Sequence, residues 1–197
     1  ATAFGPEKDA FDPNKVYLAV GTYIQEWAGP GAIMRSNDRG KTWQVAPLPF
    51  KVGGNENGRS NGERLAVDPR EPNVLFFGSR KNGLWKSEDG AATWQQVERF
   101  PAVSSAGAVG IPIVAFGPGK GRRGTPSSVI YAAVSSPERS LFVSRDAGAT
   151  WNPIPEQPTG LLPSHLDFDA RGTLYVAYGN RPGPNDVTDG AVYKYSP

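Results

Sequence analysis

The sequence predicts an all-β protein of propeller blades: four-stranded antiparallel units, about three and a half to four of them, in an incomplete ring. Three observations predict it. A turn signature recurs as Ser36-Asn37-Asp38-Arg39-Gly40-Lys41-Thr42-Trp43, Ser87-Glu88-Asp89-Gly90-Ala91-Ala92-Thr93-Trp94 and Ser144-Arg145-Asp146-Ala147-Gly148-Ala149-Thr150-Trp151. The pattern is S-x-D-x-G-x-T-W, with Ala91 in the glycine slot of the middle copy. Copies begin roughly 50–60 residues apart, a period of blades or solenoids. The same succession of short alternating segments precedes each copy. Finally, 24 glycines and 19 prolines make up about a fifth of the chain, typical of turn-rich β proteins and below the disordered range.

Aligned on this Asp-box (the BNR-type repeat), the elements fall into register. First strands read RLAV (64–67), IVAF (113–116) and LDF (166–168). A turn such as Asp68-Pro69-Arg70-Glu71-Pro72-Asn73 leads to a more apolar second strand: VYLAVG (16–21), VLFFGS (74–79), VIYAAV (129–134) and LYVAYG (174–179). Third strands are shorter, at 31–35, 83–86 and 140–143, and a last strand begins at the box Trp, as in Trp43-Gln44-Val45. Strand, turn, strand, loop, strand, box, strand is one blade. Blades are expected at 1–47, 63–98, 112–154 and 165–197, the last with three strands and no box. Closed rings use about four to eight blades. The chain therefore reads as an arc of a longer propeller, or as a piece completed by a second chain, with an exposed strand edge.

The box has mechanical work only. Asp folds back onto backbone N–H groups, Gly supplies positive φ, and Trp packs between sheets. In an up-and-down blade, boxes and first-to-second turns share one face. The opposite face receives the long irregular loops 22–30, 47–63, 79–82, 100–112, 157–164 and 180–189, where binding is usually built.

Composition excludes several classes. Net charge is +2 with basic residues spread along the chain, which argues against nucleic acid or an anionic membrane as partner. There are no cysteines, hence no disulfide framework and no thiol catalysis. No apolar run approaches a membrane span and no signal peptide opens the chain, where Ala1-Thr2-Ala3-Phe4 reads like the inside of a domain. No His/Asp/Glu cluster has metal-ligand spacing, so neither metal nor cofactor is expected. The segment Gly117-Pro118-Gly119-Lys120-Gly121 lacks the P-loop pattern. His165 is the sole histidine, no G-x-S-x-G accompanies it, and it reads as a hydrogen-bonded channel or loop residue. Asp169 is expected to shape the turn before Gly172.

The candidate ligand contacts lie on the long-loop face. Trp43, Trp85, Trp94 and Trp151 are expected to pack, but no repeat demands Trp27 in Thr22-Tyr23-Ile24-Gln25-Glu26-Trp27. With Tyr23 nearby, its ring suits the apolar face of a sugar. The run Gly53-Gly54-Asn55-Glu56-Asn57-Gly58-Arg59 offers paired donors and acceptors for hydroxyls, and its glycines permit close backbone approach. Asn55, Asn57 and Arg59 are the expected hydroxyl binders. Glu63 and Arg64 are expected as an ion pair facing the channel and ordering this loop.

Tyr23, Trp27, the first box and GGNENGRSNGERLAVDP (53–69), with NGLWKS (82–87), QPTGLLP (157–163) and GAVYKY (190–195), resemble glycoside hydrolase family 74, the xyloglucan-specific endoglucanases. Ser60-Asn61 departs from the Gly-Met pair expected there. The resemblance implies two seven-bladed propellers around an open cleft and inverting hydrolysis of a β-1,4-glucan by two aspartates, whose carboxyls stand roughly 6.5–9.5 Å apart to admit water. The family's base lies in an Asp-Val-Gly-Gly segment and its acid in an Asp-Ile-Gly-Gly segment. Neither is in this sequence, so no catalytic residue is assigned. The resemblance places the chain in the inner N-terminal propeller and implies a secreted enzyme, this segment forming one wall of the cleft and lacking activity alone. A non-catalytic lectin assembled from two copies is the alternative. A sialidase would need an arginine cluster that the repeats do not display.

Overall fold

The computed structural model describes residues 7–10, 12–101, 107, 109–119 and 121–196. Residues 1–6, which include the Ala1–Phe4 stretch, 11, 102–106, 108, 120 and 197 lie outside them. The described residues form fifteen strands in four antiparallel sheets, with no α-helix among them. The first sheet runs β1 (Glu7–Lys8), β2 (Val16–Val20), β3 (Ala32–Ser36) and β4 (Gln44–Pro47). The second runs β5 (Leu65–Val67), β6 (Leu75–Gly78), β7 (Leu84–Ser87) and β8 (Gln95–Gln96). The third has β9 (Ile113–Phe116), β10 (Ile130–Ala133), β11 (Leu141–Ser144) and β12 (Asn152–Pro153), and the fourth has β13 (Leu162–Phe168), β14 (Leu174–Gly179) and β15 (Gly190–Tyr195). Within each sheet, spatial order follows chain order. The first strands β1, β5, β9 and β13 lie next to one another, so the sheets fan out from a common inner edge.

Period-two alternation explains the fan. Side chains of a strand point alternately to its two faces, and here both faces of the inner sheets are buried. Leu75 and Phe77 pack with Ile33 of the first sheet and with Leu48 and Phe50 just after it, whereas Phe76 between them packs with Val114, Ile130 and Phe142 of the third. Tyr131 and Ala133 turn the other way, onto Leu166, Leu174 and Val176 of the fourth sheet. Apolar layers thus separate successive sheets, and Phe76 and Phe77 are inaccessible to solvent. Burying a side chain of that size stabilises by about 1.5–3 kcal/mol. On the fourth sheet, whose outermost strand is β15, Val192 remains exposed.

Three turns of identical construction cap β3, β7 and β11. In the first, Ser36 Oγ accepts from Gly40 N at 2.7 Å and donates to Asp38 Oδ1 at 2.8 Å. Asp38 accepts from Thr42 N at 2.8 Å and Thr42 Oγ1 at 2.5 Å. Asp89 and Asp146 take the same contacts from Thr93 and Thr150. Two successive residues adopt positive φ each time: Arg39–Gly40, Gly90–Ala91 and Ala147–Gly148. Ala91 accepts φ 64° despite its Cβ. Trp43 Nε1 and Trp151 Nε1 donate to the turn carbonyls of Gly40 and Gly148, whereas the buried Trp94 Nε1 has no such partner. Each turn also bonds the segment entering its sheet's second strand: Arg39 N to Asn14 O, Gly90 N to Asn73 O and Ala147 N to Ser128 O. Turns and entry segments therefore share one face.

Two expected boundaries move. The fourth sheet starts at Leu162 rather than 165, because Pro163 is tolerated in an innermost strand paired on one side, beside a register shift at Pro163/His165. The last strands begin one residue after the box Trp, whose ring closes the turn in the first and third copies. Between the second and third sheets, buried Asp68 accepts from Ser127 N and Ser127 Oγ, both at 2.6 Å, and from Arg70 N at 2.8 Å. That single carboxylate ties two sheets together.

Candidate functional site

Strand pairing fixes which end of the fan the long loops occupy. β2 and β3 run from Val16 opposite Ser36 at the box end to Val20 opposite Ala32 at the other. Loop 22–30 therefore projects from the end remote from Asp38. Loop 53–62 joins it there: Gly54 N donates to Gly21 O at 2.7 Å and Asn55 N to Thr22 O at 2.8 Å.

The two loops bring three expected residues together. Asn55 Nδ2 donates to Tyr23 Oη at 2.8 Å, and the rings of Tyr23 and Trp27 lie 5.2 Å apart, inclined at 56°. Trp27 is 73% exposed. An indole so exposed contributes little to the core, since its apolar faces meet water. Its hairpin is nonetheless ordered: Ala28 N closes the turn onto Gln25 O, and Lys51 Nζ donates to the carbonyls of Gln25 and Glu26. Because Asn55 donates to Tyr23 Oη, the phenol's own proton and Asn55 Oδ1 remain for a ligand.

Asn57 and Arg59 lie further along the same loop and are exposed, but no described hydrogen bond joins their side chains to the trio. The loop is built of successive turns, Glu56 N to Gly53 O, Arg59 N to Glu56 O and Asn61 N to Gly58 O, with Gly53 and Gly58 at φ 69° and 71°. It then crosses to the fourth sheet. Gly58 N donates to Gly183 O at 2.7 Å, Asn61 Nδ2 to Pro182 O at 3.0 Å and Gly62 N to Ser164 O at 3.2 Å. His165 Nδ1 lies 3.1 Å from Gly62 O, a hydrogen-bonded loop contact of the kind its isolation suggested.

The expected Glu63–Arg64 pair is not formed. Glu63 is exposed, while Arg64 is fully buried and donates to Val109 O at 2.7 Å, Ile111 O at 2.9 Å and Gly78 O at 3.3 Å. Those carbonyls come from the end of β6 and the segment leading into β9, and a guanidinium fork satisfies several at once. Burial, and then the charge of Arg80, holds its pKa well below the usual arginine range.

Sequence reasoning missed two cations that shape the face. Lys51 belongs to no motif or repeat position. Arg80 sat inside the short 79–82 loop, yet it is only 3% exposed and reaches Asn57 O with Nη1 at 2.7 Å. The signal available for Arg80 was its position directly after the apolar run VLFFGS, where β6 is still enclosed. Asp169, by contrast, accepts from Arg171 N and Thr173 N as expected of a turn residue. Among the described residues, no group of three or more His, Asp or Glu side chains could hold a metal, and no helix is long and apolar enough to cross a membrane.

A fan of up-and-down antiparallel sheets with inner strands converging and an aromatic platform on its loop face defines a β-propeller protein. No family model matches the sequence. Known proteins do. A xyloglucanase of a Paenibacillus species is 48% identical over 94% of this chain and 19% of its own length. One from Acetivibrio thermocellus is 42% identical over 95% of this chain and 24% of its own. The crystal structure of the family 74 xyloglucanase from Xanthomonas campestris superposes with a TM-score of 0.92 at 45% identity, covering 98% of this chain and 29% of that one. Over the stretch that it spans, the chain belongs to glycoside hydrolase family 74. It covers about a fifth to a quarter of the length of these curated relatives.

Proposed function

We propose that the chain forms one wall of the glycan cleft of a secreted, inverting, xyloglucan-degrading endo-β-1,4-glucanase. The observation that carries this reading is the Trp27–Tyr23–Asn55 cluster: an exposed indole held rigid beside a phenol whose hydroxyl is already oriented by an amide. Pyranose rings present apolar C–H faces and equatorial hydroxyls, so a flat ring flanked by donors and acceptors is complementary to them. Asn57 and Arg59 supply further hydroxyl contacts along the same loop. The blades at 1–47, 63–98, 112–154 and 165–197 are an arc of a partial propeller, completed by the remainder of the ring or by a second chain. In keeping with the relatives' names, the ligand is a xyloglucan backbone. Both aspartates that would hydrolyse it lie outside this sequence, so the chain binds without cleaving.

Trp27→Ala tests the reading. An indole buries about 150–250 Å² when covered. Occluding one face, about 80 Å², at roughly 25 cal/mol/Å² is worth about 2 kcal/mol, or about 30-fold in Kd. Calorimetric titration with xyloglucan oligosaccharides should show that loss with an unchanged melting temperature. Equal affinity in the variant, or no affinity in the wild type, refutes the assignment. New reducing ends released from xyloglucan by the chain alone refute its inactivity.

A further inference from the structure

Beneath the platform lies a residue that belongs to neither of its loops. Arg80, near the start of the second sheet's β6–β7 connection, sends its side chain under loop 53–57. Nη1 donates to Asn57 O at 2.7 Å. Its Cδ and Nε pass so close below Gly53 that a Cβ there would stand 2.6 and 2.7 Å from them, and 2.7 Å from Ile24 Cγ2. Glu56, in the same loop, attracts the guanidinium and accepts from Ile24 N at 3.1 Å through Oε1, which carries the contact into the Trp27 loop. Arg80 Nε and Nη2 are buried without a described hydrogen-bond partner. Burial lowers its pKa to about 10, partly offset by Glu56, and it stays charged at neutral pH.

This arrangement is poor for stability. A buried cation with one short hydrogen bond and incomplete pairing is commonly replaced by an apolar residue of similar volume at no cost, or with a gain. What the guanidinium supplies instead is register: it holds the Asn57 carbonyl, sits against Gly53 and draws Glu56 toward Ile24. We propose that Arg80 is a positioning residue for the Tyr23–Trp27–Asn55 platform, locking loops 22–28 and 53–57 into one unit from below. As a statement about ligand binding this rests on the glycan reading above. As a statement about the two loops it does not.

The test compares wild type with Arg80→Met, Arg80→Lys and Gly53→Ala. Three readouts are used: melting temperature, affinity for a xyloglucan oligosaccharide, and amide hydrogen exchange at Ile24, Gly54 and Asn55. Arg80→Met should melt at or above the wild-type temperature, bind about tenfold or more weakly, and exchange those three amides about tenfold faster while the β5–β7 amides stay protected. Arg80→Lys, which keeps charge but not the fork, should recover part of the affinity. Gly53→Ala lifts the loop off an intact Arg80 and should reproduce the loss if Arg80→Met fails to fold. Affinity that falls only in step with melting temperature overturns the proposal, as does unchanged exchange at the three amides. If the wild type binds no xyloglucan, the glycan reading fails, and the exchange rates still decide whether Arg80 locks the loops.

Discussion

The fifth slot of the repeated turn offers a reciprocal experiment, because the same backbone position holds Gly in two copies and Ala in the middle one. Gly148 has φ 90°, and a Cβ built on it would meet Phe76 Cζ at 2.8 Å and Cε1 at 3.1 Å. Phe76 is fully buried between the second and third sheets, so its ring has nowhere to retreat. Gly148→Ala therefore incurs the left-handed penalty of an L-residue, about 1–2 kcal/mol, and an overpacking cost of about 1–3 kcal/mol. The sum is about 2–5 kcal/mol. Ala91 already bears the left-handed penalty at φ 64°, but its methyl is inaccessible to solvent in the first layer. Ala91→Gly releases about 1–2 kcal/mol of strain, forfeits about 0.8 kcal/mol of methyl burial, and loosens the unfolded chain by about 0.4–1 kcal/mol. The net change is within about 1 kcal/mol of zero. Urea denaturation should show Gly148→Ala lowering the midpoint by about 1 M or more at a slope near 2 kcal/mol/M, with Ala91→Gly almost coincident with wild type. A Gly148→Ala protein as stable as wild type would mean that the turn and Phe76 are not in contact, and the stacking of sheets through Phe76 would have to be redrawn.

Further outcomes follow from two other features. Asp68→Ala removes four hydrogen bonds to a buried carboxylate and leaves the Ser127 N–H unpaired; it should cost about 3–5 kcal/mol in the same assay, and a cost below 1 kcal/mol would remove Asp68 as the link between second and third sheets. The carboxyls of Asp38 and Asp146 are held at about 2 by hydrogen bonds from Thr42 and Thr150, and that of Asp89 is also about 2, because hydrogen bonds from Thr93 and Ser87 outweigh a burial that raises it. An acid whose pKa is depressed on folding contributes stability that is complete above its ordinary value near 4 and is lost as pH falls toward 2. The urea midpoint should therefore decline between about pH 4 and 2. A triple Asp38→Asn, Asp89→Asn, Asp146→Asn variant should lose most of that slope, and an unchanged acid profile would sink the explanation.

How much of this was legible in sequence depends on the range of each interaction. Strand order and the two-sided burial of the inner sheets follow from alternation within a few residues: Phe76 and Phe77 must point opposite ways once VLFFG is a strand. The turns were legible because Ser, Asp, Thr and Trp act on neighbours within about one turn of chain. Tyr23 and Trp27 could be assigned to a face because meander topology alone sorts the loops. Arg64 could not be placed, since a charged residue beside Glu63 reads as half of a channel-facing pair. Its acceptors Val109 and Ile111 become visible only when the third sheet is stacked. Arg80 and the contacts of Asn61 and Gly62 with the fourth sheet share that long-range character. The fourth sheet starts earlier than expected, at Leu162, because proline excludes a central strand but not an innermost one.

The bonds from Gly58, Asn61 and Gly62 to residues 164, 182 and 183 connect sheets that are not neighbours. A chord drawn across an arc fixes its radius. Surface loops ordinarily absorb insertions at small cost, but adding or deleting a residue between Gly58 and Gly62 would lengthen or shorten this chord and change the angle at which the outer blades meet. The loop proposed to meet a ligand is thus also the one whose length sets the curvature of the arc.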